Sequence, residues 1–352
     1  MRARADRLAA SLGDRELDLF LVTELTNVRY LTGFTGTNGA CICGPDTRLF
    51  LTDFRYTERA AAEVEGWETI TVTDDWLAGI AAHLQGRFGF EDDHVSVRLL
   101  ERLKGKLADG VEAVPAGGAV ESLRRVKDEV ELAAIATASA LADEVWTWSL
   151  ERGLGGRSER EVARAAEARI RELDAEPSFP TIVAAGSNGA LPHAEPGERK
   201  IGNGELVVFD MGAKLEGYCS DGTRTFAVGE PGEEARAVYE TVRAAQAAAL
   251  DAVAAGVGGE GLDQVARELI AAAGHGDRFG HGLGHGVGLE VHEGPRVSPR
   301  SEDLLASGEV VTIEPGVYLP GKLGVRIEDL VVVTDDGHRN LSGLPKDLQL
   351  VE

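Results

Sequence analysis

Leu206-Val-Val-Phe-Asp-Met-Gly-Ala-Lys-Leu-Glu-Gly-Tyr-Cys-Ser-Asp-Gly-Thr-Arg-Thr-Phe226 reads as two apolar strands around a turn. Asp210 ends the first strand and Asp221 lies eleven residues on. Paired residues of a hairpin share a constant index sum. For these two acids it is 431, which centres the turn on Leu215-Glu216, with Gly217 following. That register sets Asp210 opposite Asp221. Cβ atoms of such a pair lie about 4.5–5.5 Å apart, so the carboxylates repel unless a cation sits between them.

A second stretch repeats the arrangement. Val310-Val-Thr-Ile-Glu-Pro-Gly-Val-Tyr318 leads into Pro320-Gly-Lys-Leu-Gly-Val-Arg-Ile-Glu-Asp-Leu330. Glu314 and Glu328 share the sum 642, which puts the turn on Gly321 and faces two more carboxylates across a hairpin. One such pair could be acidic strand ends in solvent. Two with the same geometry argue for a weak internal duplication, each half offering a carboxylate pair.

Between the hairpins lies Gly280-His-Gly-Leu-Gly-His-Gly-Val-Gly-Leu-Glu-Val-His-Glu-Gly-Pro295. Glycine at 280, 282, 284, 286 and 288 argues against helix. Its period of two predicts extended chain with one bare face, open to close approach by another backbone or a ligand. A phosphate loop would need a following Gly-Lys-Ser/Thr or a helix-opening GxGxxG, and neither is present. A flexible linker would not interleave Leu and Val so regularly. An active-site strand fits best. At ~3.3 Å per residue, His281 and His285 stand about 13 Å apart, so one histidine is expected as a ligand and the others beside substrate. Four carboxylates and an imidazole match two divalent cations, manganese first, with cobalt, zinc or iron as alternatives. Two such ions about 3.5–4 Å apart lower the pKa of a shared water, which points to amide or ester hydrolysis.

The rest of the chain divides near Ala116-Gly-Gly-Ala119. Residues 1–120 alternate short strands (17–22, 40–43, 48–52, 68–72, 87–90, 111–114) with helices (1–12, 56–64, 76–84), an α/β pattern. Residues 121–352 carry helices at about 121–152, with Ser122 as N-cap, 158–173, 232–255 and 260–273, plus the two hairpins. Helices in runs and strands in hairpins predict α+β with an antiparallel sheet rather than a Rossmann sheet. Lys and Arg total 36 against 59 Asp and Glu, a net charge of −23, so no basic footprint for nucleic acid exists. No run of about 18 apolar residues and no basic amphipathic stretch suggests a membrane. The charged start, Met1-Arg-Ala-Arg-Ala-Asp6, has no apolar signal core after it, and three cysteines are too few for a disulfide framework; a cytoplasmic location is expected.

These motifs resemble the pita-bread metallopeptidases, and among them the Xaa-Pro peptidases, prolidase and aminopeptidase P. Asn27-Val-Arg-Tyr-Leu-Thr-Gly-Phe-Thr-Gly36 is similar to the creatinase-type N-terminal domain, and Leu123-Arg-Arg-Val-Lys-Asp-Glu-Val-Glu131 to the helix that follows it. The resemblance covers nearly the whole chain. It implies an N-terminal α/β creatinase-like domain (1–120) and a pita-bread catalytic domain (121–352). It implies metal ligands Asp210, Asp221, His285, Glu314 and Glu328, with Asp221 and Glu328 bridging. His193, in Asn188-Gly-Ala-Leu-Pro-His193, is implied on the leaving-group side, or is otherwise a surface-loop histidine. His281 and His292 are implied at the substrate carbonyl and the proline. Arg326 is implied to orient the site or the substrate carboxylate, the alternative being a structural ion pair. Thr223 is implied to support Asp221. Glu314 is then the group expected to move a proton from water to the leaving proline nitrogen.

The function implied is hydrolysis of the Xaa-Pro bond, with Xaa-Pro dipeptidase favoured. The alternatives are an aminopeptidase P acting on longer peptides and a non-catalytic pita-bread binding protein. Creatinase does without the metal ligands, and methionine aminopeptidases lack the N-terminal domain. The expected partner is an Xaa-Pro dipeptide or short proline-containing peptide, without nucleic acid or membrane. A homodimer is expected by analogy, and the metal-free form is expected to be less stable, because its paired carboxylates repel.

Overall fold

A computed structural model describes residues 2–352, which divide into two compact units with the boundary between residues 124 and 125. The first unit alternates α1 (Arg2–Ser11), β1 (Leu19–Val22), α2 (Leu25–Thr32), β2 (Gly39–Cys43), β3 (Arg48–Asp53), α3 (Thr57–Glu63), β4 (Glu68–Val72), α4 (Trp76–Ala81), β5 (Arg87–Phe90), α5 (Val97–Lys104) and β6 (Glu112–Pro115), then α6 (Ala119–Arg125). Its six strands form one mixed sheet in the order β4-β3-β2-β1-β5-β6. The division falls at Arg124/Arg125 rather than 120/121, because α6 is bonded to the first unit: Tyr30 Oη donates to Leu123 O at 2.9 Å and Arg124 Nη1 to Asn27 Oδ1 at 2.8 Å. Two short helices, α2 and α5, are additional to those expected. The side chains of Glu24 and Ser96 cap them, accepting from Asn27 N and Leu99 N.

The expected helix 121–152 is two helices, and Ser122 is not a cap. Ser122 lies inside α6, where its Oγ donates to Gly118 O. The chain then straightens: Val126 bridges Glu309 and Lys127 N donates to Gly308 O. Asp128 starts α7 (Glu129–Glu151) with a reciprocal capping box to Glu131.

The second unit continues with α8 (Glu159–Glu172), β7 (Glu176–Pro177), β8 (Ile182–Ala185), β9 (Leu206–Asp210), β10 (Ala213–Leu215), β11 (Tyr218–Cys219), β12 (Thr223–Val228), α9 (Glu233–Asp251) and α10 (Gly259–Ala272). Then come β13 (Gly284–Gly286), β14 (Glu293–Val297), β15 (Val310–Ile313), β16 (Gly316–Leu319), β17 (Leu323–Arg326), β18 (Asp329–Thr334), β19 (Gly337–Asn340) and β20 (Leu350–Val351). The unit repeats a plan. Trp146, Val162 and Ile170 of α7 and α8 pack on Val183, Phe209 and Phe226 of the sheet β20-β12-β9-β8. Val242, Leu262 and Ile270 of α9 and α10 pack on Val311, Ile313 and Val331 of the sheet β14-β13-β15-β18-β19. Burial of these apolar faces, about 25 cal/mol per Å², holds each helix pair to its sheet. Cys41, Cys43 and Cys219 are buried free thiols. No helix among the described residues is long and apolar enough to cross a membrane.

Candidate metal centre

Both hairpins bring their acids inward, and one does so in a different register. Strands β15 and β18, then β16 and β17, keep the sum 642 throughout, from Val310↔Val332 to Leu319↔Leu323. Glu314 and Glu328 fall in the gap between these two ladders. Strands β9 and β12 pair with the sum 433, so Asp210 faces Thr223 rather than Asp221. The turn moves with the register to Glu216-Gly217, with φ of 49° and 87°. Two positive φ values match the twist of a two-residue hairpin turn, a preference that outweighs the Leu215-Glu216 alternative. A slip of two residues preserves the face, so Asp221 still points to the side of Asp210.

The glycine-rich stretch is extended over β13, with a bulge between His285 and Gly286, and again from Glu293, where β14 begins; elsewhere it bends. Its glycines at the sheet serve close approach. A Cβ on Gly284 would stand 1.9 Å from Thr312 O, and one on Gly286 2.0 Å from Gly294 O. The expected reach of the histidines changes accordingly: His281 Nδ1 lies 4.0 Å and His285 Nε2 3.4 Å from Glu314, so the bent chain brings both to one acid. Main-chain bonds tie the acids to their neighbours, Glu314 N donating to Leu283 O at 2.8 Å and Glu328 N to Thr223 O at 3.0 Å.

Potential ligand atoms fall into three groups, each within 4.8 Å: Asp210, Asp221 and Glu328; His285, Glu314 and Glu328; Asp221, His285 and His292. Glu328, Asp221 and His285 each belong to two groups, and of these only Glu328 and Asp221 are carboxylates with two oxygens to share. Burial raises Asp210 above the usual carboxylate range against the pull of Arg326. Burial and then the charges of Glu328 and Asp210 raise Asp221 well above it. Burial, Glu314 and Asp210 do the same to Glu328. Burial pushes Glu314 up to about 8, with Asp221 and Asp210 adding to the rise against Arg326. Asp210 Oδ1 is buried without a hydrogen-bond partner among the described residues. His285 Nδ1 lies 3.1 Å from Gly286 O, which can only accept, so Nδ1 carries the proton and the Nε2 lone pair faces Asp221 and Glu314 at 3.5 and 3.4 Å. Burial and then His292 hold that imidazole neutral, its pKa pushed down to about 4. Four oxygen donors, one neutral nitrogen, an orphaned carboxylate oxygen and mutual repulsion are what two divalent cations would relieve.

A polar frame supports the acids. Thr223 Oγ1 donates to Glu328 Oε2 at 2.7 Å and accepts from Arg326 Nε at 2.9 Å, so it supports Glu328 rather than Asp221. Arg326 also donates to Asp210, to Tyr318 Oη at 2.9 Å and to Pro192 O at 3.2 Å. All three of its nitrogens are thereby engaged, which favours the structural ion pair over a role at a substrate carboxylate. Its bond to Pro192 O also anchors the loop bearing His193. Tyr318 accepts from Arg326 and therefore donates to His281 Nε2 at 2.9 Å, while His281 Nδ1 donates to Gly282 O at 2.8 Å. His281 meets the cavity as a ring wall, its pKa pushed down to about 4 by burial.

The four acids, His281, His285 and Arg326 line a cavity of about 510 Å³, with His193, His292, Phe179, Pro180 and Ile182 at its sides. The rings of His285 and His292 stand edge to face at 4.4 Å. Sequence reasoning missed Tyr318 and Arg296. Each lies four residues beyond a motif residue, Glu314 or His292, an even spacing that strand alternation would have flagged. The Arg296 side chain is exposed and without an ion pair among the described residues, and its charge helps to lower the pKa of both His285 and His292.

A pita-bread domain with paired buried acids and a neutral histidine defines a metal-dependent hydrolase. The chain belongs to metallopeptidase family M24, which it matches over residues 130–335, and residues 4–126 match the creatinase/prolidase N-terminal domain. An Xaa-Pro dipeptidase of Pyrococcus furiosus is 36% identical over 351 residues, 99% of this chain and 100% of that one. The structure of an Xaa-Pro dipeptidase from Bacillus anthracis superposes with a TM-score of 0.96 at 36% identity, covering 99% of both chains. That of an X-Pro aminopeptidase from Thermotoga maritima gives 0.92 at 35% identity, covering 99% of this chain and 100% of that one.

Proposed function

We propose that the chain is an Xaa-Pro dipeptidase that holds two divalent cations on Asp210, Asp221, His285, Glu314 and Glu328, with Asp221 and Glu328 shared. The observation that carries this reading is that Glu328 and Asp221 are the two carboxylates that each belong to two ligand groups, so each has an oxygen to offer either ion. Bound cations would polarise the scissile carbonyl and acidify a water. The protein does the rest. Glu314, whose carboxyl sits at the junction of His281 and His285, carries a proton between water and the leaving proline nitrogen. His193 and His292 flank the leaving group, His281 bounds the cavity beside it, and Arg326 holds Asp210 and the His193 loop in place.

Arg296 favours a dipeptide over a longer peptide. An unpaired guanidinium beside His292 suits a free proline carboxylate, which only a dipeptide places next to the cleaved bond. Manganese as resident metal, a homodimer and a cytoplasmic location complete the proposal; the oxygen-rich donor set supports the first. Plasma emission analysis with activity on Ala-Pro tests the core of it. Two equivalents of metal and cleavage lost on chelation are expected, and Asp221→Ala or Glu328→Ala should abolish cleavage. Full activity in either variant contradicts the assignment.

A further inference from the structure

Outside the ring of acids, one ion pair grips the histidine-bearing segment. Helix α10 carries Asp263 and Arg267 one turn apart. Arg267 Nε donates to Asp263 Oδ2 at 2.7 Å and Nη2 to Oδ1 at 3.0 Å. The same guanidinium donates to Phe279 O at 2.6 Å and to His281 O at 2.8 Å. Asp263, itself 1% exposed, also accepts from Leu283 N at 2.9 Å. One bidentate pair therefore binds the main chain at 279, 281 and 283.

The segment so held has few constraints of its own. Glycines at 280, 282 and 284 cost more backbone entropy to fix than any other residue, and a Cβ on Gly280 would meet nothing within 4 Å. The side chains extend the grip. Arg267 lies 4.2 Å over the Phe279 ring, Phe279 meets His281 edge to face at 5.0 Å, and His281 packs on Tyr318 at 5.6 Å. Guanidinium, two aromatic rings and a phenol thus form one column that ends at the cavity wall.

We propose that Arg267, locked by Asp263, is a positioning residue that sets the His281 wall of the substrate cavity. This rests on reading that cavity as the substrate site of an Xaa-Pro peptidase. Only a planar fork can hold the carboxylate and two carbonyls together. A lysine keeps the charge and the ion pair but offers a compact point charge in place of the fork. Arg267→Lys is therefore a variant that leaves no buried charge unpaired and yet loses the grip.

The test is steady-state kinetics on Ala-Pro for the wild type, Arg267→Lys, His281→Ala and the double variant, each with its metal content and Tm. Arg267→Lys should keep its metal and a Tm within a few degrees, and raise KM about 10-fold with kcat within about twofold, the pattern of lost substrate binding. In the His281→Ala background the same change should alter kcat/KM by less than about twofold, because the two act through one contact. An equal penalty in both backgrounds, a loss in kcat alone, loss of metal, or no penalty in the wild-type background overturns the proposal. A wild type that leaves Ala-Pro intact refutes the assigned reaction instead. The imidazole ¹⁵N resonances of the protein loaded with diamagnetic zinc then decide the placement without substrate. A shift at His281 with His292 unmoved supports the clamp, and an unshifted His281 overturns it.

Discussion

Arg296 is the residue on which the proposed preference for a dipeptide turns. A charge-assisted contact to a substrate carboxylate is worth about 1.5–3 kcal/mol, or roughly 10- to 100-fold in affinity. Arg296→Gln should therefore raise KM for Ala-Pro by about that factor. The C-terminal amide of Ala-Pro, which lacks the carboxylate, should be cleaved equally by both proteins. Equal losses on the two substrates would show that Arg296 acts on the histidines and not on the carboxylate. Thr223 makes a different kind of prediction. It bridges Arg326 Nε and Glu328 Oε2, so Thr223→Val removes support from a ligand without removing the ligand. Loss of such support costs about 10- to 100-fold in metal affinity. Calorimetric titration with manganese measures it, and unchanged affinity would place Thr223 outside the site.

At the scale of elements, the chemistry was more legible than the geometry that delivers it. The sum 642 for Glu314 and Glu328 holds along the whole second hairpin. The first hairpin pairs two residues out of the expected register, because its turn is chosen by backbone twist at Glu216-Gly217, which a centred sum does not encode. Alternation kept the acids on one face in spite of that. The glycine-rich stretch announced close backbone approach through its period, but not its bends, since glycine leaves the path to outside partners such as Asp263 and Arg267. The helix break at Asp128 was legible in principle: Asp128 and Glu131 form a capping box within an otherwise continuous amphipathic pattern. Asp128→Ala should cost about 1 kcal/mol in urea unfolding. A change within error would mean that α7 is fixed by packing alone. Tyr318 and Arg296 were passed over because each stands four residues beyond the side chain that carries its motif, Glu314 or His292.

For the whole molecule, the net charge of −23 conceals three acids that the fold buries together, Asp210, Asp221 and Glu328, with Glu314 partly buried beside them. Each has a carboxyl raised above its ordinary value in the metal-free chain. Such groups contribute stability that is present below the ordinary carboxylate range and is lost as pH rises through the folded value, which for Glu314 is about 8. Cations that bind only the folded state act in the opposite sense. The difference in Tm between manganese-loaded and chelated protein should therefore widen steadily from pH 5 to pH 8. A constant or narrowing difference would mean that the acids do not repel one another in the folded chain.

Comparison of Ala-Pro with Ala-Pro-Ala on the manganese-loaded protein tests the central claim most directly. Arg296 predicts a kcat/KM for the dipeptide at least about 10-fold above that for the tripeptide, since only the dipeptide offers a carboxylate beside the cleaved bond. A tripeptide cleaved as well as or better than the dipeptide would contradict the account.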